Sequence, residues 1–142
     1  MENITSFETV YSFFINKIES YDYLNLEKEE IEQDLENKLK VALAKFTTAK
    51  DIKAGFDIKM FNRELTYEEI EILSLWMVTE WLKPKVLTEQ HLYDTLSSKD
   101  YVNHSPANLL DKLILLKKEL DSEAYYCTKT YGYKNRRSGK KK

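Results

Sequence analysis

The side chains that most often carry protein chemistry are scarce in this chain of 142 residues, which holds two histidines and one cysteine. His91, His104 and Cys127 do not stand at spacings that recur in zinc or other transition-metal sites, so no metal centre is expected. A nucleophilic pair of Cys127 with His104 would need a third group to orient it, and the Tyr- and Lys-rich neighbourhood of Cys127 offers none. His104, beside Ser105 and Pro106, reads as a surface residue at a helix start, and His91 as an exposed position on a short helix. The three glycines are isolated, so no phosphate-cradling loop is present. The run Glu27, Glu29, Glu30, Glu32, Asp34 and Glu36 lacks the Gly-centred ligand spacing of a calcium loop and reads as a solvated helix face. Neither a catalytic centre nor a cofactor is therefore expected, and the chain reads as an assembly or binding protein.

One constellation remains. Tyr125, Tyr126, Tyr131 and Tyr133 interleave with Lys129, Lys134, Arg136 and Arg137. Bases stack on such rings and phosphates pair with such cations, while tyrosine and arginine are also the side chains that anchor protein interfaces. Residues 125–142 contain seven of the 22 basic residues and none of the 24 acidic ones, which leaves 15 basic against 24 acidic over residues 1–124. A body of charge −9 thus joins an end of charge +7, a contrast hidden by the overall −2. The division expected is a helical bundle over 1–124 and a basic, Tyr-rich, extended arm over 125–142. Polyphosphate, an acidic protein surface or the acidic bodies of neighbouring copies could each receive that arm.

The elements that must position it read mainly as helices, because three Gly and two Pro leave few turns for hairpins. Thr5 and Glu8 form a capping-box pattern before a stripe of Phe7, Val10, Tyr11, Phe14 and Ile18. Asn25 can cap a second helix, buried along Ile31, Leu35, Leu39, Ala42, Leu43 and Phe46. Residues 47–65 break the period, and Phe56, Ile58 and Met60 alternate with Asp57 and Lys59, so a short extended segment or hairpin is expected around 50–64. Thr66 and Glu69 form a second capping box before Ile70, Leu73, Trp76, Met77 and Trp81, read as core and not as a ligand pocket. That helix should end near Lys83, since Pro84 disfavours helical geometry in the residue before it. Val86 and Thr88 then staple and cap a short fourth helix with Leu92 and Leu96, closed by residues 97–100 and followed by a loop over 101–104. Ser105 with Pro106 opens a final helix marked by Leu109, Leu110, Leu113, Leu116 and Leu120. The fold class expected is all-α, a four- to five-helix bundle in a single domain. One cysteine rules out an intramolecular disulfide and fits a reducing compartment. Neither a signal peptide nor a membrane span is expected, because no basic segment precedes an apolar run and no window nears the roughly 18 apolar residues a span requires.

Three stretches, LSLWMVTEWLKPKV over 73–86, KDYVNHSPANL over 99–109 and YGYKN over 131–135, resemble the head–tail connector or adaptor (neck) proteins of tailed bacteriophages infecting Gram-positive hosts. The likeness covers the chain from Thr66 onward and rests on helix-and-cap patterns. It implies a structural virion protein, made in the host cytoplasm, that forms a closed ring of about twelve copies beneath the portal. The implied partners are the portal protein, a stopper or tail-completion protein and genomic DNA passing through the channel. In such adaptors a C-terminal segment reaches the portal, which maps here onto 125–142 and makes Tyr125, Tyr126, Tyr131, Tyr133, Lys134, Arg136 and Arg137 the partner-binding residues. An accessory protein that lays the same basic aromatic arm on nucleic acid is the alternative reading.

Overall fold

The computed structural model describes residues 4–18, 23, 26–96 and 105–139. Among them the order is α1 (Phe7–Ile15), α2 (Lys28–Lys45), β1 (Ala54–Gly55), β2 (Met60–Phe61), α3 (Tyr67–Leu96) and α4 (Ser105–Gly139). The connection over 97–104 and the end over 140–142 lie outside the described residues, as do Asn25 and the side chains of Leu92, Leu96, Ser105, Pro106 and Arg137; the N-cap of α2 is not the expected Asn25 but Glu27, in a capping box with Glu30. The chain is mainly helical, as the scarcity of turn residues requires.

α3 is the central element, and α1, α2 and α4 all pack on it. Its first half is apolar nearly all round, with Ile70, Ile72, Leu73, Leu75, Trp76, Met77, Val78 and Leu82 buried, the pattern of a helix with neighbours on every side. Positions of α3 divide cleanly between those neighbours. Tyr67 stacks on Phe13 and Glu71 bonds Lys17, which places α1 on that face. Glu69 and Trp76 bond residues of α4, and at 100° per residue they fall on roughly the opposite face. Leu35, Leu39, Ala42 and Phe46 of α2 are buried as the period requires, with Ile31 and Leu43 packed partly buried beside them.

The segment between α2 and α3 folds back as a two-stranded antiparallel hairpin pairing Ala54 with Phe61 and Gly55 with Met60. Lys59 takes a left-handed φ of 58° to close its turn. The chain before α1 runs alongside: Phe61 N–H donates to the Thr5 carbonyl at 2.9 Å and Phe7 N–H to the Lys59 carbonyl at 3.0 Å. Phe7 then meets Phe56 and Phe61 edge-on, at centroid distances of 5.1 and 5.0 Å, which seals the hairpin to α1. This pairing redirects the expected cap of α1. The Thr5 hydroxyl accepts from the Leu65 N–H at 2.9 Å, and Ser6 takes the N-cap position.

Two expectations about helix ends are corrected. α3 does not stop before Pro84 but continues to Leu96, absorbing the short helix expected from Thr88. Proline here removes one bond to the Glu80 carbonyl, and it sits just past Leu82, the last buried residue described in α3, where little packing depends on ideal geometry. The extended arm expected from residue 125 is helical: α4 runs unbroken to Gly139, about 52 Å at 1.5 Å per residue. No proline interrupts this stretch, and Ala124, Thr128 and Tyr131 continue its buried stripe, so the bundle extends past the expected boundary at 124.

Candidate functional site

The end of α4 holds the residues singled out for partner binding, and it sorts them into two groups. Tyr131 belongs to the core: it is buried, meets Phe46 edge-on at 4.9 Å and donates its hydroxyl to Glu69 Oε2 at 2.5 Å. It is not available to a partner. Beside it, Gly132 admits Thr48 so closely that a Cβ would lie 2.7 Å from Thr48 Cγ2. The Thr48 hydroxyl donates to the Thr128 carbonyl at 2.8 Å, and Trp76 Nε1 donates to Thr128 Oγ1 at 2.9 Å. The buried threonine therefore satisfies the one polar atom of a core tryptophan.

Glu69 ties these elements together. It is 2% exposed and accepts Arg63 Nη1 at 2.9 Å, Arg63 Nη2 at 2.6 Å, Tyr131 Oη and the Thr66 N–H at 2.8 Å. Burial alone would raise its pKa, but the bonds from Arg63, Tyr131 and Thr66 outweigh burial and hold the carboxyl at about 2. Arg63 in turn is held above its ordinary range, by Glu69 foremost, and also bonds Asp51 at 2.9 Å. Burial and then Glu69 push the Tyr131 phenol up. A carboxylate with four donors already in place has little capacity left for acid–base chemistry, so this cluster is a clasp joining the loop before α3, α3 and α4.

The remaining basic and aromatic side chains among the described residues face solvent. Tyr125, Lys129, Tyr133 and Arg136 stand at intervals of four, four and three, which aligns them along one side of α4. Lys129 Nζ lies 5.4 Å from the Tyr125 ring and the Arg136 guanidinium 5.7 Å from the Tyr133 ring. Tyr126 is exposed next to them, and Lys134 reaches Glu68 at 3.1 Å. Arg137 lies in α4 with its side chain outside the description. The structure thus supplies a helical stripe of cations laid over aromatic rings where an extended arm was expected.

A second exposed feature was not foreseen. Past Leu82 no described side chain of α3 is buried, and in α4 none is buried between Leu110 and Ala124. Leu87, Leu109, Ile114, Leu115 and Leu116 are all exposed there, Leu87 at 61% and Leu115 at 56%. Leu109 and Leu116 are among the leucines that mark the final helix in sequence, and helical period reports an apolar face without saying whether a neighbour covers it.

The other chemical candidates resolve as follows. Burial, then Glu123, Glu68 and Glu71, push the Cys127 thiol up, away from the reactive thiolate form. Glu30 accepts the Glu27 N–H, Asp34 accepts Lys38 and Tyr23, and Glu36 accepts Lys59, so these three of the acidic run serve helix capping and ion pairs. Among the described residues no cluster of His, Cys, Asp and Glu could hold a metal ion, and no helix is long and apolar enough to cross a membrane. Comparison with family models, with curated proteins and with solved structures finds no match to this chain.

Proposed function

We propose that this chain is a structural subunit of a bacteriophage neck, a head–tail connector or adaptor that assembles as a ring beneath the portal. It would bridge the portal to a stopper or tail-completion protein while the genome passes through the channel. The observation that carries this reading is the outer half of the α3–α4 pair, where Leu87, Leu109, Ile114, Leu115 and Leu116 are left bare on two long helices. Single exposed leucines are ordinary, but five in one thin two-helix extension form an unfinished layer that a neighbouring subunit can complete. The resemblance of 73–86, 99–109 and 131–135 to neck proteins supplies the kind of assembly. An acidic body suits a channel through which DNA slides without sticking.

The test is the mass of the purified chain by light scattering, alone and with the portal protein of a phage of a Gram-positive host. The expected result is an oligomer that binds portal, and a Leu87→Glu, Leu115→Glu variant that is monomeric with unchanged helical circular dichroism. A wild-type monomer that ignores portal at every concentration would sink the reading.

The stripe of Tyr125, Lys129, Tyr133 and Arg136 favours a second reading, a nucleic-acid-binding accessory protein. Phosphate binding through these cations would weaken steeply as salt rises. Titration of a short DNA duplex at two salt concentrations separates the readings.

A further inference from the structure

A groove of about 650 Å³ opens between α1, the first turns of α2 and the β1–β2 hairpin. Its walls are largely apolar, with Phe7, Ile15, Ile31, Leu35 and Met60 among them and the exposed Ile58 at the lip. Three carboxylates line it, Glu8, Glu32 and Glu36, against Lys28 and Lys59. Lys59 is already paired with Glu36 at 2.7 Å, so the unpaired balance is acidic. Tyr11 also lines the groove; it is 8% exposed, and its hydroxyl has no hydrogen-bond partner among the described residues. Burial, then Glu36 and Glu32, push that phenol up and keep it neutral. The groove therefore presents apolar and aromatic walls with one carboxylate in excess of its lysines, a combination suited to a peptide that is both aromatic and cationic.

The chain carries such a surface. Tyr133 and Arg136 are exposed near the end of α4, and Arg137, Lys140, Lys141 and Lys142 follow in sequence. α1 and α4 pack on roughly opposite faces of α3, through Tyr67 and Glu71 on one side and Glu69 and Trp76 on the other. The stripe of one molecule consequently points away from its own groove.

We propose that the groove receives the basic, tyrosine-bearing end of α4 from a second copy of this chain. The contact is head-to-tail, joining two different surfaces, and such contacts repeat around a ring when the rotation closes. This rests on the self-association in the proposed function and names its interface. Opposite charges set the register, and the arriving cations meet the carboxylates of Glu8 and Glu32 at the groove.

The experiment is a charge swap in the full chain, read as association by light scattering at low ionic strength. Glu8→Lys with Glu32→Lys alters the groove, and Lys129→Glu with Arg136→Glu alters the stripe; neither pair touches the core clasp. Each pair alone should weaken association by about tenfold or more, and the quadruple variant should recover the wild-type mass. Circular dichroism checks that each variant is folded. An assembled wild type whose pair variants keep its mass, or a quadruple variant without recovery, overturns this interface and leaves the ring reading standing. A wild type that is monomeric throughout, alone and with portal, overturns both. A monomer whose stripe variant alone loses binding to a DNA duplex assigns the stripe to nucleic acid and overturns the proposal as well.

Discussion

Glu69 gathers donors from the hairpin exit, from its own helix start and from the far end of α4, so its charge reports on whether those parts are together. Its carboxyl titrates at about 2 in the fold against 4.5 for the ordinary group. The unfolded chain therefore binds the extra proton between those values, and stability rises with pH across that window. The clasp should contribute on the order of 3 kcal/mol at neutral pH, fully present above about 4.5 and lost as the pH falls toward 2, measurable by urea unfolding at stepped pH. Tyr131→Phe keeps the ring and deletes one bond to a buried charge; it should cost about 1.5–3 kcal/mol and lift the acid end of that profile. Gly132 sets two effects against each other. Alanine would favour the helix by about 1 kcal/mol, but its Cβ would strike Thr48, and overpacking of this kind costs about 1–3 kcal/mol. Gly132→Ala should therefore destabilise, and Thr48→Ser in the same chain, which removes Cγ2 and keeps the hydroxyl bond to Thr128, should recover part of the loss.

At the scale of elements, α3 and α4 each overrun a boundary that local rules would place earlier. Pro84 costs α3 a backbone bond and a steric clash, so Pro84→Ala should raise stability by about 2 kcal/mol in chemical denaturation. α4 sets where the basic end can be removed. A chain ending at Asn135 keeps Thr128, Tyr131 and the Asn135 amide bond to the Tyr131 carbonyl, and should unfold within a few degrees of the full protein. A chain ending at Ala124 loses the clasp and the Trp76 partner and should not fold cooperatively.

The whole molecule is uneven in thickness. Around Leu73, Met77 and Ala124, helices surround α3, whereas beyond Leu82 no described side chain of α3 is buried. Amides over 83–96 and 105–120 should accordingly exchange with solvent faster than those over 70–82 in the isolated chain, and should gain protection in the assembled form. Equal protection of both halves in a verified monomer would show that the outer pair needs no neighbour.

Periodicity and capping alone determined that the chain is helical, where α2 and α3 bury their faces, that α4 opens at Ser105, and that 50–64 departs from helix. Those features depend on residues a few positions apart, and near neighbours are what local sequence encodes. Tertiary structure decided the rest. Whether Pro84 ends a helix depends on the packing around it, and whether Leu115 is core or surface depends on which element or other molecule covers it. The basic end shows the same divide. Its charge and tyrosines were legible, yet its helical form follows from the contacts of Thr48 with Gly132, Trp76 with Thr128 and Glu69 with Tyr131, each spanning more than fifty residues. The spacing of Leu120, Ala124, Thr128 and Tyr131 was the available sign that the helix continued, overshadowed by the charge that surrounds it.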